Sequence, residues 1–163
     1  MKISIVSDSH DNWVNMKMAI SESNNRGCEA LLHAGDLIAP PGIPLLSEFK
    51  GDVKFVFGNN EAEKLGLMSK ASQFKNIEIC GDIFEGEIGG VKVFMNHYPK
   101  IAQLAAKSGD YDICIFGHTH EVLQDKVGNT ILVNPGEVQG YLSGKATFMV
   151  FDTDSREVEL IQL

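Results

Sequence analysis

Four of the five histidines in this chain (His10, His97, His118 and His120) lie in short polar segments that directly follow apolar runs. The segments read Asp8-Ser9-His10, Gly35-Asp36, Gly58-Asn59-Asn60-Glu61, Asn96-His97, Gly117-His118-Thr119-His120 and Asn134-Pro135-Gly136. Taken singly, an Asp after an apolar run is an ordinary turn or cap residue, and a His an ordinary hydrogen-bonded side chain. Taken together, that explanation leaves their shared position unexplained. Carboxylate, imidazole and amide oxygen donors without thiolate suit Mn, Fe, Ni, Zn or Mg. Two such ions, roughly 3.5–4 Å apart and bridged by a carboxylate, can polarise a shared water.

The elements that must position these residues are legible in the apolar pattern. Short β-branched and aromatic runs occupy residues 2–7, 30–34, 53–57, 77–80, 91–96, 112–116, 130–134 and 146–151. Each has strand length and is followed by a turn signal. Residues 12–26 follow Asp11, read as an N-cap, and set Trp13, Met16, Ala19 and Ile20 at helical spacing. Shorter helices are predicted over 42–49 and 61–71, and another over 100–108, closed by Gly109. This alternation implies parallel strand–helix–strand units.

The second half turns to hairpins. Gly89-Gly90 separates 82–88 from 91–96, Gly128-Asn129 separates 121–127 from 130–134, and Asp152 to Ser155 separates two closing strands. Parallel units followed by hairpins predict an α/β chain of two sheets packed face to face with helices outside. Ligands gather at the carboxyl ends of parallel strands. The six polar segments should therefore project one cluster of donors into one crevice.

A length of 163 residues fits one domain, and the 44% apolar and 22% charged fractions are those of an ordinary globular protein. No apolar run approaches the roughly 20 residues of a membrane-spanning helix. The start, Met1-Lys2-Ile3-Ser4-Ile5-Val6-Ser7-Asp8, lacks a secretory pattern, so a cytoplasmic location with no membrane partner is expected. Cys28, Cys80 and Cys114 are too far apart for a disulfide framework or a CxxC site and read as buried thiols. With a formal net charge of −8 and no Lys/Arg cluster, no stable nucleic-acid complex is expected.

The motifs quoted above, in that order, resemble those of the calcineurin-like metallophosphoesterases, from residue 3 to about residue 137. They look most similar to the small, cap-less archaeal and bacterial phosphodiesterases of that superfamily. One Asp-x-His or Gly-Asp pair would be weak; five motifs in order, Gly-His-Thr-His among them, are specific. The resemblance implies a four-layer αββα sandwich of two mixed sheets. It implies that Asp8, His10 and His120 hold a first divalent metal, Asp36 bridges, and Asn59, His97 and His118 hold a second. Manganese is the expected metal, with nickel, iron, zinc or magnesium as alternatives. Asp36, His118 and the residue at position 60 would act on the ester. The implied reaction is hydrolysis of small phosphodiesters by a hydroxide bridging the two metals. Two divalent ions bring about +4, and Asp8, Asp36 and the hydroxide return about −3; the surplus of roughly +1 suits a singly charged diester. Asn134-Pro135-Gly136 resembles the family's closing turn, or is an ordinary Asn-Pro turn.

Two positions depart from the family pattern. Many members carry His after the metal-binding Asn, as leaving-group acid or phosphate contact, whereas here Asn60 has no titratable proton. Losing a general acid typically costs about 10²–10⁴ in rate, so activated or cyclic diesters should be preferred. Glu61 could supply a proton instead, or serve as a first-turn helix residue. Many relatives have His-Gly where this chain has His97-Tyr98-Pro99. Tyr98 could stack on a base or aryl group, or be an ordinary wall residue. His33 reads as a structural residue that orients a ligand, and the loop from Leu37 to Ile43 as a rim of the pocket. No insertion is long enough for a lid.

Two alternatives share the fold. A phosphomonoesterase would use the same ligands, and a non-catalytic metal-binding scaffold of the retromer-subunit type would have lost them. A Ser or Cys nucleophile hydrolase has no GxSxG to support it. An exposed edge strand or the apolar 37–46 segment could support a homodimer.

Overall fold

The structure, a computed structural model, describes residues 1–163. In chain order the elements are β1 (Lys2–Val6), α1 (Trp13–Asn25), β2 (Ala30–His33), a 3-10 turn (Pro40–Gly42), α2 (Ile43–Leu46), β3 (Asp52–Phe55), α3 (Lys64–Ala71) and β4 (Ile77–Ile79). There follow β5 (Ile83–Ile88), β6 (Val91–Asn96), α4 (Pro99–Ser108), β7 (Ile113–Ile115), β8 (Val122–Val127), β9 (Thr130–Pro135), β10 (Thr147–Asp152) and β11 (Val158–Gln162).

They form two mixed sheets, ordered β11-β10-β1-β2-β3-β4 and β5-β6-β7-β9-β8. The strands β1 to β4 pair in parallel, as do β6, β7 and β9. The antiparallel pairs are the expected hairpins β5–β6 and β8–β9 and the closing strands β10 and β11.

Strand alternation assigns each face. Ile3 and Ile5 of β1, Val93 and Met95 of β6, Ile113 and Ile115 of β7, and Met149 and Phe151 of β10 meet between the sheets and are fully buried. The intervening residues point outward, under helices. Val6, Leu31, Phe148 and Val150 pack beneath α1 to α3, while Phe94, Cys114 and Leu132 pack beneath α4. The result is four layers, αββα.

The helix starts differ from the sequence expectation. Asn12, not Asp11, caps α1, its side chain accepting from the Asn15 N–H at 3.2 Å. The Asp11 carboxylate instead accepts from the Ala39 N–H at 3.2 Å, tying the first polar segment to the loop after β2. The third helix begins at Lys64 rather than at 61, because the Glu61 side chain turns inward. At α4 the pattern holds, with Pro99 opening the helix and Gly109, at φ 77°, closing it.

The segment 37–46 turns its apolar side inward. Leu37, Ile43 and Leu46 are fully buried in the core beneath α1, so the rim of the loop is made by Ile38 to Pro41 alone. Cys28 and Cys114 are buried, whereas Cys80 is only half-buried. Burial pushes the thiols of Cys28 and Cys80 up to about 11 and that of Cys114 to about 12, so all three stay protonated at neutral pH. No helix is long and apolar enough to cross a membrane.

The layer between the sheets carries the apolar burial that holds the two sheets together. Ile115→Ala, at the centre of that layer, should lower the unfolding free energy by about 2–5 kcal/mol, the usual range for emptying such a position. Urea denaturation of the variant checks this.

Candidate metal centre

The polar segments follow β1, β2, β3, β6, β7 and β9, the parallel strands of both sheets, and emerge at one edge of the sandwich. There they meet. Asp8 Oδ1 lies 3.3 Å from His120 Nε2 and 3.7 Å from His10 Nε2. Asp36 Oδ2 lies 3.5 Å from His10 Nε2 and 3.4 Å from His97 Nε2. Asn59 Oδ1 lies 3.0 Å from His97 Nε2 and 2.8 Å from His118 Nδ1. All seven residues singled out as metal ligands thus belong to one continuous cluster.

The tautomers show what the cluster requires. His97 Nδ1 lies 2.8 Å from the Ala34 carbonyl, so it carries the proton and donates. In its neutral form His97 then turns a lone pair at Nε2 toward the oxygens of Asn59 and Asp36. His120 Nδ1 likewise donates to Glu137 Oε2 at 2.8 Å, and its Nε2 turns a lone pair toward Asp8 Oδ1. Lone pairs that face one another at 3.0–3.4 Å repel, and either a second proton on the imidazole or a metal cation between them relieves the repulsion.

Two buried atoms make the same point. Asp8 Oδ1 and His10 Nε2 have no hydrogen-bond partner, and both face this space. The groups Asp8–His10–His120 and Asp8–Asp36–His97 each bring their donor atoms within 4.8 Å of one another. The donor set fits divalent metal ions.

Electrostatics agree with the geometry. Asp8 and Asp36 are 0% and 1% exposed, and histidines are their only ion-pair partners. Burial pushes the Asp36 carboxyl up, but hydrogen bonding and charge from His97, with the Asn60 donors, outweigh it and hold the group far below the carboxylate range. Burial pulls His10 and His97 down, yet the same carboxylates raise both above the ordinary imidazole value. The field in the crevice attracts positive charge.

The backbone is bent to make this cluster. Five of the seven residues adopt the left-handed region: Asp8 (φ 52°), His10 (41°), Asp36 (59°), His118 (69°) and His120 (61°). For non-glycine residues such conformations cost of order 1–3 kcal/mol each and concentrate at functional sites. Close approach accounts for two glycines. A Cβ on Gly58 would collide with the Asp36 carboxylate, and one on Gly117 with the Ser7 hydroxyl and the Asp8 carboxylate.

A further shell holds the cluster. His33 Nδ1 accepts from the Gly35 N–H, and its Nε2 lies 3.3 Å from Ser9 Oγ, joining the loops after β1 and β2. Burial drives this imidazole down to about 4, so it is neutral and structural. Asn134 donates to the Gly117 carbonyl and Thr119 Oγ1, both at 2.9 Å, and accepts from the Gly136 N–H, which pins the Gly-His-Thr-His loop.

Glu61 is not a helix-surface residue. It is buried, and its carboxylate accepts from the N–H groups of Gly58, Leu37 and Ile38, tying the loops after β2 and β3 together. Burial raises its pKa against the pull of those three donors. Asn60 turns onto Asp36, donating its backbone N–H at 2.9 Å and its side-chain amide at 2.6 Å. Tyr98, 37% exposed, stands at the mouth with its ring centroid 5.3 Å from those of both His97 and His118.

Sequence reasoning missed Glu137, which is fully buried against His120. The available signal was a carboxylate set in a mostly apolar stretch, directly after Asn134-Pro135-Gly136.

The comparisons with known proteins agree with this architecture. Residues 1–156 match the calcineurin-like phosphoesterase superfamily domain. The chain is 34% identical to phosphodiesterase MJ0936 of Methanocaldococcus jannaschii, over 100% of its own length and 99% of the relative's. Among solved structures, an archaeal phosphodiesterase with 34% identity superposes with a TM-score of 0.95 over the whole of both chains. The Escherichia coli phosphoesterase YfcE (18% identical, 99% and 98% coverage, TM-score 0.72) and Vps29 of Entamoeba histolytica (18%, 100% and 99%, TM-score 0.71) share the fold. The chain belongs to the calcineurin-like phosphoesterase superfamily. It is a hydrolase of phosphate esters, and family and Asp/His cluster together point to divalent metal ions as its cofactor.

Because Gly58 and Asp36 touch, Gly58→Ala should displace the carboxylate while leaving the sheets intact. Mn²⁺ affinity should fall about 10–100-fold, the usual effect of disturbing a ligand's support, with an unchanged far-ultraviolet circular dichroism spectrum. Calorimetric titration of the stripped protein measures it.

Proposed function

We propose that this protein is a dimetal phosphodiesterase acting on small phosphodiesters. The observation that carries the proposal is the convergence of carboxylate, amide and imidazole donor atoms at one edge of the sandwich, with Asp36 at its centre. Asp8, His10 and His120 would hold one ion, Asn59, His97 and His118 the other, and Asp36 both. Manganese is the first candidate, before nickel, iron, zinc or magnesium. When bound, such ions supply Lewis acidity and a water of lowered pKa as nucleophile.

The residues themselves do the remainder. His118, exposed at the mouth, stands where an ester oxygen would enter, and its backbone N–H is held by Asp8 Oδ2 at 3.0 Å. Asn60 orients Asp36 through two hydrogen bonds and has only amide protons to offer a leaving group. Tyr98 provides an exposed aromatic edge beside His118, suited to an aryl or base substituent.

Charge favours a diester over a monoester. Two ions at about +4 face Asp8, Asp36 and a deprotonated water at about −3. Buried Glu61 and Glu137 now stand behind them, each held by several N–H donors. With both counted the net charge falls to about −1. A singly charged diester meets less repulsion there than a doubly charged monoester. The phosphodiesterase name of the Methanocaldococcus relative supports the same choice.

The decisive assay is hydrolysis of bis(p-nitrophenyl) phosphate and p-nitrophenyl phosphate by stripped protein, with and without Mn²⁺. The diester should be cleaved in preference, and Asp36→Ala should abolish cleavage. Inactivity with Mn²⁺, Ni²⁺, Fe²⁺ and Mg²⁺ alike would favour a binding scaffold. A second expectation concerns the leaving group. Asn60→His should raise kcat on alkyl esters by about 10²–10⁴, the span of general acid catalysis, and do little for p-nitrophenyl esters. Equal effects on both would remove the leaving-group role.

A further inference from the structure

Glu137 lies where the chain crosses from one sheet to the other. Past β9 the backbone turns at Gly136 and runs along the end of β1, the Val138 and Gln139 N–H groups donating to the Ser7 and Asp8 carbonyls at 3.0 and 3.1 Å. Asn12, the cap of α1, and Asn15, in its first turn, donate their side-chain amides to the Gln139 carbonyl. Glu137 therefore projects from a rigid strip, 0% exposed.

Its two carboxylate oxygens face different parts of the molecule. Oε1 accepts from the Leu142 N–H (2.9 Å), the Ser143 N–H (2.5 Å) and the Ser143 hydroxyl (2.7 Å). Oε2 accepts from His120 Nδ1 and from the Gln139 side-chain amide, each at 2.8 Å. The loop 140–145 could have been held by Oε1 alone. The second oxygen serves His120 and the Gln139 amide, whose nitrogen also lies 3.0 Å from His120 Nδ1.

We propose that Glu137 is a positioning residue for the metal centre. It fixes the Nδ1–H tautomer of His120, increases the donor strength of Nε2, and makes that ligand's orientation depend on the closed loop 140–145. A carboxylate behind a ligating imidazole raises its basicity and sets its ring plane. This role rests on the reading of the cluster as a metal centre.

The test is Mn²⁺ binding to the stripped protein by calorimetry, for the wild type, Glu137→Gln and Ser143→Ala. The wild type should bind two ions per chain. Glu137→Gln should weaken one of the two about 10–100-fold and leave the other unchanged. Ser143→Ala, which keeps the charge but loosens its support, should weaken the same ion by a smaller factor. If Glu137→Gln fails to fold, Ser143→Ala carries the decision. A downfield imidazole N–H resonance assigned to His120 should also move in Glu137→Gln, with or without metal. Wild-type binding of both ions by the variants, with only a lowered melting temperature, would reduce Glu137 to a loop clamp and overturn the proposal. No Mn²⁺ binding by the wild type would overturn the metal centre itself, and this proposal with it.

Discussion

Asp8 and Asp36 place two carboxylates side by side in the protein interior with no lysine or arginine to answer them. Removing a carboxylate from water without a partner costs several kcal/mol. Much of the surrounding structure is a response to that cost. Histidines approach from three directions, backbone amides of His118 and Asn60 hold one oxygen of each carboxylate, and the other oxygens face imidazole nitrogens, that of Asp36 also accepting from the Asn60 side chain. Such an arrangement is stable when a divalent cation sits within it. The buried acidic pair is the constraint from which the chemistry follows.

The sandwich makes that arrangement attainable. Neither sheet holds enough donors alone: Asp8, His10, Asp36 and Asn59 come from the first, and His97, His118 and His120 from the second. Packing the sheets face to face over Ile5, Met95, Ile115 and Met149 brings their carboxyl ends to a common edge. The loops leaving that edge must then turn sharply, and five of the cluster's residues take left-handed backbone conformations. Their strain is offset by neighbours rather than by local preference. His33 links the first two loops, Glu61 the second and third, and Asn134 braces the Gly-His-Thr-His loop.

Much of this was legible in the residues. The apolar runs marked the strands to within a few residues, because a strand buried on both faces must be apolar along its length. The hairpin glycines at 89–90 and the pair Gly128-Asn129 were readable for the same local reason. Other readings failed where a side chain answered to a distant partner. Asp11 looked like the cap of α1, but Ala39 took its carboxylate and Asn12 did the capping. Glu61 looked like a helix residue, but three amides from two loops drew it inward.

By itself, the sequence determined the donor types, their place after the strands, and the sheet-forming pattern that must gather them. These are properties of single residues and of short periodic runs, which one chain displays without reference to its fold. Only the tertiary structure decided which nitrogens of His97 and His120 face a carbonyl and a carboxylate, that Asn60 is engaged with Asp36, and that Glu137 stands behind His120. Each of those depends on a partner many residues away, brought to hydrogen-bonding distance by the packing of one sheet on the other.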